Sequence, residues 1–180
     1  MMVRAERWLR GWRILCLGFL VSAAAVLAPD ADATDVLAPD WQLDSTSGRT
    51  VDFYRENSHA PSVLLFWASW CPYCKALYSE LARLYEQFAS AGVSFFALNV
   101  WEDSDGEAYF RQQSLPFELI LAADLVAEEY GMQGTPGVYV VDRQHRVVYS
   151  RKRGESPAEV ATAAGLALKR ALANAPPAKK

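Results

Sequence analysis

Cys71 and Cys74 are separated by two residues in Trp70-Cys71-Pro72-Tyr73-Cys74-Lys75. The apolar run Val63-Leu64-Leu65-Phe66-Trp67 comes just before them, and an amphipathic pattern follows. That order puts a dithiol where a strand ends and a helix begins. A helix N-terminus presents unpaired N–H groups and partial positive charge, and both favour a thiolate over a thiol. A first cysteine placed there can titrate at ~3.5–7.5, below the usual thiol range. The same shift makes its sulfur a better-populated nucleophile and a better leaving group. The chemistry proposed is dithiol–disulfide exchange.

Other uses of two cysteines must be weighed. Zinc wants four ligands, usually Cys or His. Only His59 and His145 are available, and both lie in polar, loop-like contexts that read as solvated. A Cu(I)-binding or metal-delivery module is the alternative, since soft thiolates suit that ion. No Met or His clusters beside Cys71 in sequence to support it. Trp67 reads as core, whereas Trp70 adjoins the sulfur and is placed to shape an apolar substrate groove. Tyr73 is expected at the surface between the cysteines. Leu77, Leu81 and Leu84 read as core, and Trp101-Glu102-Asp103-Ser104-Asp105 as a solvated strand-end loop. Lys75 receives no role.

The elements that would hold the pair follow from periodicity. Residues 34–42 read as a leader, and Trp41–Asp44 and Thr50–Phe53 as a hairpin around Gly48. Val63–Trp67 and Val93–Val100 read as buried strands. Pro72 to about Ala89 repeats apolar residues at three- and four-residue steps and reads as a helix, closed at Gly92. Glu102–Gln113 is expected to be helical with Ser104 as N-cap. Leu119–Leu121 is a short strand and Leu125–Tyr130 a short helix ended by Gly131. Val138–Val141 and Val147–Tyr149 are strands joined by a tight turn, and Ser156-Pro157-Ala158-Glu159 opens the last helix with a capping box. Parallel strands need crossovers, whereas tightly joined ones are antiparallel. The expected fold is therefore α/β, a mixed central sheet flanked by helices, with an N-terminal β-hairpin.

The chain has 180 residues, 52% of them hydrophobic, enough for one domain plus extensions. A net charge of −3 gives no argument for nucleic acid. Arg4, Arg7, Arg10 and Arg13 precede the apolar run Ile14–Ala28, and Ala31-Asp32-Ala33 offers a small-residue cleavage site. Residues 1–33 thus read as a signal peptide, removed or retained as an anchor; either places the domain outside the cytoplasm. Cys16 falls within that segment and reads as a small apolar residue, so the remaining two cysteines suit one redox pair. Residues 34–175 form the expected domain, and 176–180 a frayed tail.

Phe66-Trp67-Ala68-Ser69-Trp70-Cys71-Pro72-Tyr73-Cys74 resembles the active-site segment of the thioredoxin superfamily. Gly134-Thr135-Pro136-Gly137-Val138 resembles its cis-proline segment, and Pro39-Asp40-Trp41-Gln42-Leu43 is similar to the hairpin of exported TlpA-like thiol–disulfide oxidoreductases, relatives of the cytochrome c maturation reductases. The resemblance covers roughly residues 37–172. It implies a thioredoxin-like fold, Cys71 as the exposed nucleophile and Cys74 as the buried resolving thiol. It further implies a Cys71–Cys74 disulfide, a cis Pro136, and a substrate groove lined by Trp70, Pro72, Tyr73, Thr135 and Pro136. No cofactor is implied, because the electrons reside in the cysteine pair. The implied partners are cysteine-containing envelope proteins and a membrane redox protein that resets the dithiol in the periplasm of a bacterial envelope.

Two positions depart from that family. Leu65 stands where many thioredoxin-like proteins carry a buried acid, and Leu77 where the cytochrome c maturation reductases usually carry a glutamate. Glu80 does not align with either. Pro72-Tyr73 is the dipeptide typical of glutaredoxins.

Overall fold

The computed structural model describes residues 36–174. The expected signal segment, Cys16 and the tail at 176–180 lie outside the described residues. A hairpin of β1 (Gln42–Asp44) and β2 (Thr50–Asp52) leads to α1 (Phe53–Asn57). There follow β3 (Ser62–Trp67), α2 (Pro72–Phe88), β4 (Ser94–Asn99), α3 (Gly106–Gln113) and β5 (Glu118–Ile120). The chain continues through α4 (Asp124–Glu129), β6 (Gly137–Val141), β7 (Val147–Ser150) and α5 (Pro157–Ala173).

The main sheet runs β5-β4-β3-β6-β7. β3, β4 and β5 are parallel, and β6 and β7 are added antiparallel. Every residue of the central strand β3 is buried, as a strand covered on both faces must be. Its side chains alternate between two cores. Val63, Leu65 and Trp67 pack with Leu77, Leu81 and Leu84 of α2, Phe110 of α3, and Val160 and Leu168 of α5. Leu64 and Phe66 pack on the other side with Trp41, Phe53, Val126 and Ala127. The N-terminal hairpin is thus a lid on the second core. Each fully buried leucine contributes about 1.5–3 kcal/mol.

Some boundaries differ from the sequence expectation, for local reasons. The second hairpin strand stops at Asp52, whose carboxylate caps α1 by accepting the Arg55 N–H at 3.1 Å. Phe53 then stacks on Trp41 with ring centroids 5.0 Å apart. Helix α3 is capped by Asp105, which accepts from the Ala108 N–H at 2.9 Å; Ser104 is not the cap because its hydroxyl serves Glu102. His145 is not a solvated loop residue. It stacks on Tyr54 at 3.8 Å and shares a 2.9 Å hydrogen bond between Nδ1 and Asn57 Oδ1. His59 is exposed as expected. The expected capping box of α5 forms, with Ser156 accepting from the Glu159 N–H at 3.3 Å and Glu159 from the Ser156 N–H at 2.8 Å.

Candidate active site

The cysteine pair sits on the edge of the sheet where the parallel strands end. Only Ala68–Cys71 separate the end of β3 from the first residue of α2. Cys71 is itself the N-cap, with extended backbone, and its sulfur accepts the Cys74 N–H at 3.1 Å. Pro72 at the first helical position has no N–H to leave unpaired. Cys71 and Cys74 are joined in a disulfide with Cα atoms 5.3 Å apart.

Cys71 is 3% exposed and Cys74 fully buried. Cys71 was expected to be exposed; in the disulfide form it is buried, as Cys74 is. Both cysteine side chains belong to the first core. The exposed surface around the pair comes from Trp70, 48% exposed, and Tyr73, 70% exposed. Pro72 is exposed too.

The Thr135–Pro136 bond is cis, as the resemblance implied. β6 pairs antiparallel with β3, Gly137 opposite Phe66. Pro136 therefore lies one residue before the paired segment of β6, at the cysteine end of β3. Pro136 is buried and Thr135 half-buried, its Oγ1 covered and without a hydrogen-bond partner among the described residues. Arg151 Nη1 donates to the Pro136 carbonyl at 3.4 Å.

Leu65 and Leu77 are 1% and 2% exposed, so both acid-bearing positions of the resembled family are filled with core leucine. Glu80 is ion-paired with Arg83 on the surface of α2. Tyr78, one turn beyond Cys74, is 5% exposed and its hydroxyl has no hydrogen-bond partner among the described residues. Burial, and then Tyr109 and Glu102, push its phenol well above the usual range, so it is no base.

Sequence reasoning missed Glu102. It is not part of a merely solvated loop. Its carboxylate accepts the Ser69 N–H at 2.9 Å, the Ser69 hydroxyl at 2.6 Å and the Asn99 amide at 2.8 Å. Partial burial opposes its charge, but the hydrogen bonds from Ser69, Asn99 and Ser104 outweigh that and hold the carboxyl down at about 2. A signal existed. β3 and β4 are consecutive parallel strands, so residues just past their ends meet on one edge, where sites of α/β sheets gather.

Among the described residues, no group of three or more His, Cys, Asp or Glu is arranged to hold a metal ion. No helix among them is long and apolar enough to cross a membrane.

The AhpC/TSA family model matches residues 35–150, more than half of the chain, and the chain belongs to that family. It is similar to the thiol:disulfide interchange protein DsbE of Pseudomonas aeruginosa, 28% identical over 95 residues that cover 49% of this chain and 51% of that one. A DsbE homolog of Paracoccus denitrificans is 29% identical over 140 residues, 72% of this chain and 74% of that one. The chain thus spans about half the length of the first relative and three-quarters of the second. Among solved structures, a thiol:disulfide interchange protein of the thioredoxin family from Chlorobium tepidum superposes with a TM-score of 0.63 at 22% identity, covering 77% of this chain and 99% of that one. Peroxidoxin BcpB from Mycobacterium tuberculosis superposes with a TM-score of 0.64 at 19% identity, covering 75% and 95%. These likenesses establish a thioredoxin-like fold. An interchange protein and a peroxidoxin share it, so the activity must be argued from the site.

Proposed function

We propose that this AhpC/TSA-family chain is an exported thiol–disulfide oxidoreductase that exchanges disulfides with envelope proteins through Cys71 and Cys74. In the reducing direction, the Cys71 thiolate attacks a disulfide sulfur of the substrate. A mixed disulfide forms, and the other substrate sulfur leaves as thiolate and takes a proton. Cys74 then loses its proton and attacks the Cys71 sulfur. The intramolecular disulfide forms, and the second substrate thiol is released. Two electrons pass from the dithiol to the substrate, and the reverse sequence oxidises a substrate dithiol.

The observation that carries this reading is the seat of Cys71. Its sulfur caps α2 and receives a backbone N–H at 3.1 Å, the setting that stabilises a thiolate. A peroxidase needs one activated cysteine and no second cysteine in the next helical turn. Exposed Trp70 and Tyr73 give apolar surface for a polypeptide. Residues around the cis Thr135–Pro136 bond would pair with an extended substrate segment by strand addition. Export rests on the arginine-rich start and the Ala31-Asp32-Ala33 site. The partners are then cysteine-containing envelope proteins and a membrane protein that resets the pair.

Insulin reduction by the reduced protein, with metal analysis of the same sample, tests the proposal. Catalysed precipitation of the insulin B chain by metal-free protein is expected. Stoichiometric Cu(I) retention without disulfide exchange would contradict it.

A further inference from the structure

We infer that Glu102 is a positioning residue for Cys71: its carboxylate clamps Ser69, two residues before the nucleophile, and so holds the turn that seats Cys71 on the N-terminus of α2. The inference rests on the reading of Cys71 as attacking thiolate.

The clamp is dense. Glu102 Oε2 takes the Ser69 N–H at 2.9 Å and the Asn99 amide at 2.8 Å. Oε1 takes the Ser69 hydroxyl at 2.6 Å and the Ser104 hydroxyl at 3.0 Å. Asn99 Nδ2 also reaches the Trp67 carbonyl at 3.4 Å, and Trp70 Nε1 donates to the Trp101 carbonyl at 2.8 Å. The end of β4 and the loop after it therefore grip the end of β3 and the loop after it, at Trp67, Ser69 and Trp70. Hydrogen bonds to an ionised acceptor are roughly twice as strong as neutral ones. Since the carboxyl is held at about 2, the clamp stays charged wherever a thiolate is useful.

Gly106 adds an independent observation. A Cβ there would lie 2.7 Å from Glu102 Oε2 and 3.0 Å from both side-chain polar atoms of Asn99. Its φ is not positive, so backbone conformation does not demand glycine. The space is demanded by the clamp.

The chemistry separates position from charge. An anion near Cys71 disfavours its thiolate. If Glu102 acted only as a charge, removing it would lower the thiol pKa. If it acts by holding the turn, removing it lets Cys71 leave the helix N-terminus and raises that pKa.

The test is the pH dependence of Cys71 alkylation in the reduced full chain, for the parent, Glu102→Gln, Glu102→Ala and Gly106→Ala. Urea midpoints and insulin reduction are measured alongside. We expect Glu102→Ala to shift the Cys71 titration up by about one pH unit, toward the ordinary ~8.5, with about tenfold slower alkylation below the midpoint. Glu102→Gln keeps an acceptor for the Ser69 N–H and should stay near the parent. Gly106→Ala should reproduce the upward shift although alanine is the better helix former, and it carries the test if Glu102→Ala fails to fold. An unmoved titration with a lower urea midpoint would reduce the clamp to a structural brace and overturn the inference. A downward shift in both Glu102 variants would overturn it in favour of through-space charge. If either occurs while the parent still reduces insulin, the clamp fails and the proposed function stands; a parent that exchanges no disulfide sinks that function, and the titration still decides the clamp.

Discussion

The backbone N–H of Cys74 donates to the Cys71 sulfur at 3.1 Å, from the first turn of the helix that Cys71 itself caps. The two cysteines therefore stand in unequal environments. The Cys71 sulfur receives a helix-terminal N–H, a setting that favours its thiolate once the disulfide is reduced, while Cys74 sits within the first turn of α2; both side chains lie in the first core. From this we expect Cys71→Ser to abolish exchange and Cys74→Ser to accumulate mixed disulfides, because attack survives and resolution does not. Non-reducing gels of each variant mixed with an oxidised protein substrate check this. Adducts on Cys71→Ser alone would reverse the roles.

Buried Leu65 and Leu77 occupy the two positions at which the resembled families carry an acid that could accept the Cys74 proton. A buried acid with raised pKa is the usual means of such a transfer near neutrality. Around neutrality, resolution in this chain should lack the titration of a neighbouring acid and rise with pH only as the Cys74 thiol itself ionises, and Leu77→Glu should add a new titration at lower pH. The variant should also lose stability, on the order of a few kcal/mol, because position 77 is core. Stopped-flow reduction of both forms decides. A titration near neutrality in the parent, below the thiol range, that Leu77→Glu leaves unchanged would contradict this account.

Glu102 gives a second pH prediction. Its folded carboxyl titrates at about 2, against an ordinary value of 4.5. A depressed folded pKa contributes stability above the unfolded value, and that contribution disappears as pH falls through the folded one. The stability advantage of the parent over Glu102→Gln should be full above pH ~4.5 and vanish by pH ~2. Urea unfolding of both forms across that window measures it. An advantage that persists below pH ~2 would have another source.

The amino-terminal region makes a prediction about processing. Export with cleavage after Ala31-Asp32-Ala33 gives a mature chain beginning near Thr34. N-terminal sequencing of the envelope fraction is the measurement. A full-length cytosolic protein would contradict export.

Much of this was legible in the chain. β3 announced itself as an unbroken apolar run because both its faces are covered, and α2 by its leucine steps. Cys71 and Cys74 stand in a short motif whose chemistry is local, and the cis Pro136 is legible only through the resemblance to the thioredoxin superfamily. What escaped was long-range. Glu102 looked like one acid in an acidic loop, because Ser69 lies 33 residues away and only the parallel register of β3 and β4 brings them together. His145 looked solvated for the same reason, since its partners Tyr54 and Asn57 come from α1. The near-complete cover of Cys71 was also hidden, because burial of a cap residue depends on neighbouring loops and not on its own periodicity.

The most direct test of the central claim is differential alkylation of the fully reduced protein across pH, read by mass spectrometry at each cysteine. The account predicts that Cys71 reacts first, with a titration midpoint within ~3.5–7.5, while Cys74 stays protected. Cys74 reacting first, or Cys71 titrating at the unperturbed ~8.5, would contradict it.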